Sequence, residues 1–373
     1  MKMTFRWYGE RDSIPLSYIR QIPGMTGVVT AVYDVPVGEV WHTDRIARLK
    51  ALCDREQLEM EVIESVPVHE DIKLGKPTRD RLIENYAQTV RNLGKFGVKC
   101  VCYNFMPVFD WLRTNLHTPA PDGSNSLSYR HAELLALDPH DLHLPGWDES
   151  YTPAELRGLL DAYSGMTHEK LFENLVCFLR GILPACREAG ISMAIHPDDP
   201  PWDMFGLPRI ITGRESYLRL FEAVPERENG ITFCTGSLGA GRENDLPALA
   251  REFADRICFA HLRQIRFEGE RDFCECGHRT DAGSLDMLAI VEALADGAVL
   301  QGMPRQQAYT FAAQAVLGSA RMVLETGMHP GALKDMVCGT TIEAVASLEQ
   351  DGLRAAVIRA VDVCTEKSKA MSK

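Results

Sequence analysis

Nowhere in this 373-residue chain is there the run of about 20 apolar residues that a bilayer-crossing helix requires. Positive charge is also in deficit. With 40 Lys and Arg against 52 Asp and Glu, the formal net charge is −12, which argues against a nucleic-acid partner, since phosphate binding needs a basic face. No G-x-G-x-x-G follows any candidate strand; Gly236-Ser237-Leu238-Gly239-Ala240-Gly241 has the wrong spacing for a dinucleotide fingerprint. Cys274 and Cys276, with His278 nearby, lack the second pair of a structural zinc site, so no separate zinc is expected there. The first residues, Met1-Lys2-Met3-Thr4-Phe5-Arg6-Trp7-Tyr8, have no apolar signal core. The eleven cysteines are scattered through apolar segments and read as reduced, mostly buried thiols. A cytoplasmic protein without membrane contact is expected.

What the chain does contain is a repeated ending. The apolar run from Ile191 to Ile195 delivers His196, and Pro197-Asp198-Asp199-Pro200-Pro201 then stops any regular element. Gly230 to Phe233 leads in the same way to Cys234, and Ile257 to Ala260 leads to His261. If the three strands lie in one parallel sheet, His196, Cys234 and His261 converge at one rim. Two imidazoles and a thiolate suit a borderline transition ion such as Zn²⁺, Fe²⁺ or Mn²⁺ rather than Mg²⁺ or Ca²⁺. Such an ion polarises a hydroxyl or carboxylate. Arg263 is placed to pair with a substrate carboxylate, and Asn104, at the end of its own strand, is a second candidate substrate contact. The bland reading of each ligand alone is a hydrogen-bonded rim residue; their recurrence at one phase of the strands is what favours a metal site.

Short β-rich runs alternate with amphipathic helices along most of the chain. Strands are expected near 5–8, 27–33, 58–65, 98–105, 191–196, 230–235 and 257–262, with helices near 43–55, 78–93, 152–164, 167–189, 214–224 and 245–254. This alternation implies parallel strands and helical crossovers. A TIM-like (β/α) barrel, with its site at the C-terminal strand ends, leads over an open doubly wound sheet, but it wants eight strands and one is unaccounted for. Residues 106–150, with Trp111, Arg113, His117 and Pro121-Asp122-Gly123, read as a loop-rich insertion. After about Ile290 the chain turns Ala-rich and helical, with punctuation at Gly327, Pro330, Gly339 and Gly352; a small all-α C-terminal domain is expected, giving domains at 1–292 and 293–373.

Several strings carry a family resemblance. Trp7-Tyr8-Gly9, Glu64-Ser65-Val66-Pro67-Val68-His69-Glu70-Asp71, Cys102-Tyr103-Asn104-Phe105-Met106-Pro107, His196-Pro197-Asp198-Asp199-Pro200-Pro201, Phe233-Cys234-Thr235-Gly236-Ser237 and His261-Leu262-Arg263 resemble mannonate dehydratase, over residues 1 to about 292. The resemblance implies a TIM-like barrel that removes water from D-mannonate to give 2-keto-3-deoxygluconate in hexuronate breakdown, with Mn²⁺ or Fe²⁺ held at His196, Cys234 and His261.

The chain then departs from that pattern. The family's eighth strand ends in Arg-Pro-Asp-His-Gly, followed by a Pro-Gly-Tyr stretch; these supply the fourth metal ligand and groups associated with proton transfer, and neither occurs here. Instead, Glu292 to Val299, Gly302-Met303-Pro304-Arg305, Ala313 to Gly318 and His329 to Asp335 resemble the C-terminal domain of pyrroline-5-carboxylate reductase, which carries that family's dimer interface. Its Ser-Pro-Gly-Gly-Thr-Thr loop is shortened here to Cys338-Gly339-Thr340-Thr341, and the reductase's nucleotide-binding domain is missing, so reductase activity is not expected. The sequence thus reads as a chimera joined within one helix. It implies a homo-oligomeric, metal-dependent hydro-lyase for a sugar acid, with its catalytic His and Tyr unassigned; the competing reading is a non-catalytic metal-binding barrel. An incomplete barrel is expected, with a gap between the first and last strands unless Ala298–Gln301 or another chain fills it.

Overall fold

A computed structural model of the chain describes residues 2–120, 123–137, 152–278 and 280–300. The chain divides into two units, Met1–Ala312 and Ala313–Lys373, and everything described lies in the first. The expected C-terminal helices and the shortened Cys338–Thr341 loop therefore lie outside the described residues.

The strands in chain order are β1 (Met3–Arg6), β2 (Met25–Thr30), β3 (Glu59–Glu64), β4 (Cys100–Tyr103), β5 (Asn115–Pro119), β6 (Asn125–Tyr129), β7 (Ser192–Ile195), β8 (Asn229–Cys234), β9 (Ile257–His261), β10 (Gln264–Phe267) and β11 (Phe273–Cys276). Seven form one parallel sheet in the order β1-β2-β3-β4-β7-β8-β9. These are the seven strands the sequence predicts, displaced by up to three residues in β1 and β2. β4 and β8 are buried along their whole length, as befits parallel strands covered on both faces.

The covering helices follow from their apolar spacing. Thr43–Arg55 turns Ile46, Leu49 and Cys53 inward. The helices Arg79–Gly94 and His168–Ala189 pack on each other closely enough that a Cβ at Gly94 would meet Ala189 Cβ at 2.8 Å, and one at Gly181 would meet Ile83 at 2.4 Å. Thr167 caps the second of these by accepting from Lys170 N, and Gly190 ends it in the left-handed region at φ 65°. That stop aims the next residues into β7.

The sheet curls but does not close. Its edge strands β1 and β9 stand 10 Å apart, and no strand lies between them among the described residues. Ala298–Leu300 do not fill the gap with a strand: they continue the helix Met287–Leu300, which packs beside Leu246–Glu252. Gln301 lies outside the described residues.

The supposed loop insertion is the other departure. Its strands β5 and β6 join β10 and β11 in a four-stranded antiparallel sheet of order β10-β11-β6-β5. These strands are short, and β5 and β6 are rich in Ser, Thr, Asn and His, so their polar side chains hide the strand pattern; the Pro-Asp-Gly string at 121–123 was the available hint in the sequence.

Candidate metal centre

The carboxyl ends of the parallel strands bring the predicted ligands together. Register sets Cys234 on β8 directly opposite His261 on β9. His196 follows β7, where its backbone N–H donates to Tyr103 O at 2.7 Å and so fixes the residue to the neighbouring strand. Its Nδ1 lies 2.7 Å from the Pro197 carbonyl, which can only accept, so Nδ1 carries a proton and Nε2 is the atom left to act as a ligand. The His196 and His261 rings are 5.1 Å apart by their centroids. The ligand atoms of His196, Cys234 and His261 lie within 4.8 Å of one another, and so do those of Glu64, Cys102 and His261. Cys274, Cys276 and His278 form no such cluster among the described residues; the Cys274 thiol instead meets Ser126 Oγ at 3.2 Å.

Electrostatics favour a cation at this rim. Burial alone would raise the Cys234 thiol, but the Arg263 guanidinium and His196 outweigh it and hold it well below the ordinary thiol value. Ser237 Oγ donates to its sulfur at 3.2 Å. Burial would lower His261, yet the Glu64 carboxylate, 3.2 Å from Nε2, and Cys234 push it up to about 10. Despite its burial, Glu64 is held far below the usual carboxylate range by His261 and Arg6. The rim thus sets a depressed thiol and a depressed carboxylate against one imidazole whose protonated form they favour. A divalent ion can take that proton's place, since deprotonated sulfur and imidazole are the forms that ligate. The donor set fits a transition ion.

Arg263 is less free than the sequence suggests. Nη1 pairs with Asp199 at 2.8 Å and Nη2 donates to Ser237 Oγ at 3.0 Å, while Nε is buried without a hydrogen-bond partner. Gly236 makes room for it, because a Cβ there would stand 2.1 Å from Nε. Asp199 also accepts two 3.0 Å bonds from Arg113, which reaches Glu275 at 2.8 Å. This network escaped the sequence reading. Asn104 stands one residue past β4, its Oδ1 accepting from Met106 N at 3.1 Å. It is on the rim, but tied to the following turn. Glu64 was visible in sequence as a strand-end acid; Cys102 read only as a buried thiol.

The family profile described as D-mannonate dehydratase (UxuA) matches residues 1–310. The chain belongs to the mannonate dehydratase family. The mannonate dehydratase of Thermotoga petrophila is 51% identical over 310 residues, covering 79% of this chain and 86% of that protein. The mannonate dehydratase of Oceanobacillus iheyensis is 51% identical over 298 residues, covering 79% and 85%. The crystal structure of the Streptococcus suis serotype 2 mannonate dehydratase superposes with a TM-score of 0.74 at 47% identity, covering 80% of this chain and 82% of that one. A second profile, pyrroline-5-carboxylate reductase dimerisation, matches residues 287–371. The dehydratase and reductase matches thus overlap over 287–310, most of which is the helix Met287–Leu300. The chimera expected from sequence is borne out by this pair of matches.

Proposed function

We propose that this chain is a metal-dependent hydro-lyase acting on D-mannonate, with Mn²⁺ or Fe²⁺ held by His196, Cys234 and His261. The observation that carries the reading is the convergence of these three side chains, with their depressed thiol, at the strand ends of a dehydratase-family barrel. When bound, the ion would supply Lewis-acid polarisation of substrate oxygen. The chain's own groups do the rest. Arg263, with its unpartnered Nε, takes the substrate carboxylate, and Asn104 offers an amide to a hydroxyl. The net change removes the C2 proton and the C3 hydroxyl as water, leaving an enol that moves a proton from its C2 hydroxyl to C3 to give 2-keto-3-deoxygluconate. Glu64 Oε2 stands 3.2 Å from His261 Nε2 and orients that imidazole at the rim.

Turnover is expected to be slow, because the family's Asp-His-Gly and Pro-Gly-Tyr segments are absent from the sequence and each missing acid–base group costs about 10²–10⁴-fold. That same absence favours a second reading, a metal-binding barrel without turnover. Formation of 2-keto-3-deoxygluconate from D-mannonate with added Mn²⁺ decides between them. Activity that vanishes in Cys234→Ala supports the first, and tight metal binding with no product supports the second.

The dimerisation match over 287–371 supports a homodimer, and the expected mass in solution is twice the 41.6 kDa chain. A monomer by light scattering would end that idea. The nine free cysteines among the described residues suit a reducing compartment, and the cytoplasm is the proposed location. No helix among the described residues is long and apolar enough to cross a membrane.

A further inference from the structure

The proposed rim draws its donors from the ends of β7, β8 and β9. The two strands before these in the sheet, β3 and β4, carry donors of their own. Register sets Glu64, at the end of β3, directly opposite Cys102 in β4. The five neighbouring strands β3-β4-β7-β8-β9 thus each bring one donor to the inner face of the curled sheet.

These donors lie at different depths. Cys102 pairs with Ala194 and Tyr103 with Ile195, so Cys102 stands two residues before the level of His196. Residues two apart share a face, and at about 3.3 Å per residue that level is about 6–7 Å further into the sheet. His261 belongs to both groups. One of its ring nitrogens lies within 4.8 Å of the ligand atoms of His196 and Cys234, and one within 4.8 Å of those of Glu64 and Cys102. The 3.2 Å between Glu64 Oε2 and His261 Nε2 is about the separation of two neighbouring donors around one ion with bonds of about 2.0–2.2 Å. Arg6 Nη1, 3.2 Å from the same oxygen, is the charge that an ion at Glu64 would compete with. Carboxylate, thiolate and imidazole are together a zinc-type donor set. A neutral imidazole has one lone pair, and two dications this close would repel each other beside Arg6 and Arg263, so His261 serves one ion at a time.

We infer that Glu64, Cys102 and His261 form a second, inner position for a thiophilic divalent ion such as Zn²⁺ or Co²⁺, filled in exchange for the rim position rather than alongside it. Cys102 binds there as the thiolate, and its proton leaves to solvent. Asn104, the proposed substrate contact, is two residues beyond Cys102, so an ion at the inner position lies a layer beneath the substrate level. The exchange rests on the proposed rim site; the inner triad does not, and it holds whether or not the chain turns over a sugar acid.

The test titrates Co²⁺ into the full, reduced chain and follows its thiolate charge-transfer absorption. The wild type is expected to take one Co²⁺ per chain. Cys234→Ala should bind more weakly yet keep a thiolate band, because Cys102 then supplies the sulfur, and adding Cys102→Ser should remove that band. Glu64→Gln in the Cys234→Ala background leaves the sulfur in place and should weaken Co²⁺ by a further tenfold or so. It also guards against a fold lost with Cys102. No band in Cys234→Ala, even at about a thousandfold more Co²⁺ than half-saturates the wild type, would overturn the inner position. So would a band that survives Cys102→Ser, or an affinity unmoved by Glu64→Gln. Two Co²⁺ per wild-type chain would overturn the exchange. Equal affinity in the wild type and Cys234→Ala would strike the rim site, and the exchange with it, while the Cys102→Ser and Glu64→Gln results still decide the inner triad.

Discussion

β8 and β1 are strands of one parallel sheet, yet all six residues of β8 are buried and all four of β1 are only partly so. The difference is one of neighbours rather than of sequence. β8 is paired on both sides, whereas β1 and β9 each lack a partner among the described residues. The proposed metal rim straddles this divide. Cys234 belongs to the complete side, and His261 ends an edge strand that is half-exposed along its length. A ligand set can thus assemble on a sheet that has not closed, because backbone pairing on one side of β9 suffices to register His261 against Cys234.

The sharpest way to break the complete side is Asp199→Asn. It leaves Arg113, 1% exposed, and Arg263 without their shared carboxylate, and should cost about 3–5 kcal/mol in chemical denaturation. The pH dependence carries the same signature. Asp199 lies well below its ordinary value of 3.8 because, although burial opposes it, Arg113 and Arg263 favour its ionised form. A carboxylate depressed on folding contributes stability in full above its unfolded pKa and loses it as pH falls through the folded one. The gap between wild type and Asp199→Asn should therefore be constant above about pH 4 and narrow only in stronger acid. A gap that widens on acidification would contradict the assignment.

Packing deletions sharpen the contrast between the two sides. Val101→Ala in β4 removes a fully buried side chain and should cost about 2–3 kcal/mol; Phe5→Ala at the open edge, though a larger truncation, should cost about 1–2. Equal costs would mean that the edge is covered in solution. On the metal, Cys234→Ala should weaken Mn²⁺ or Co²⁺ binding by more than about a hundredfold, since loss of an outer partner alone costs 10–100-fold. Titration with Co²⁺, followed by its thiolate charge-transfer absorption, reads this without reference to turnover. The smallest effect belongs to neither side: Thr152→Ala removes an exposed capping box and should lower thermal stability by about 1 kcal/mol.

Much of the parallel layer was legible because it rests on local pattern. The helix predicted at 43–55 spans Thr43–Arg55, and each ligand-bearing strand is a short apolar run stopped by its ligand. The gap was legible as well, from a missing string of residues. The antiparallel sheet was not, since β5 and β6 are polar and β6 pairs with β11, more than 140 residues downstream. Nor was the clamp on Arg263. Arg113 meets Asp199 across 86 residues and Glu275 across 162, and no periodicity in the chain announces either pair.

The helix Met287–Leu300 has a practical consequence for anyone dividing this chain. Its side against Leu246–Glu252 and the residues just after it is read through to Gly297, where a Cβ would stand 2.8 Å from that of Ala254. Ala293, Leu294 and Ala295 are all buried on the way. A cut at 292, inside the stretch that both profiles match, would strip the barrel of part of this wall.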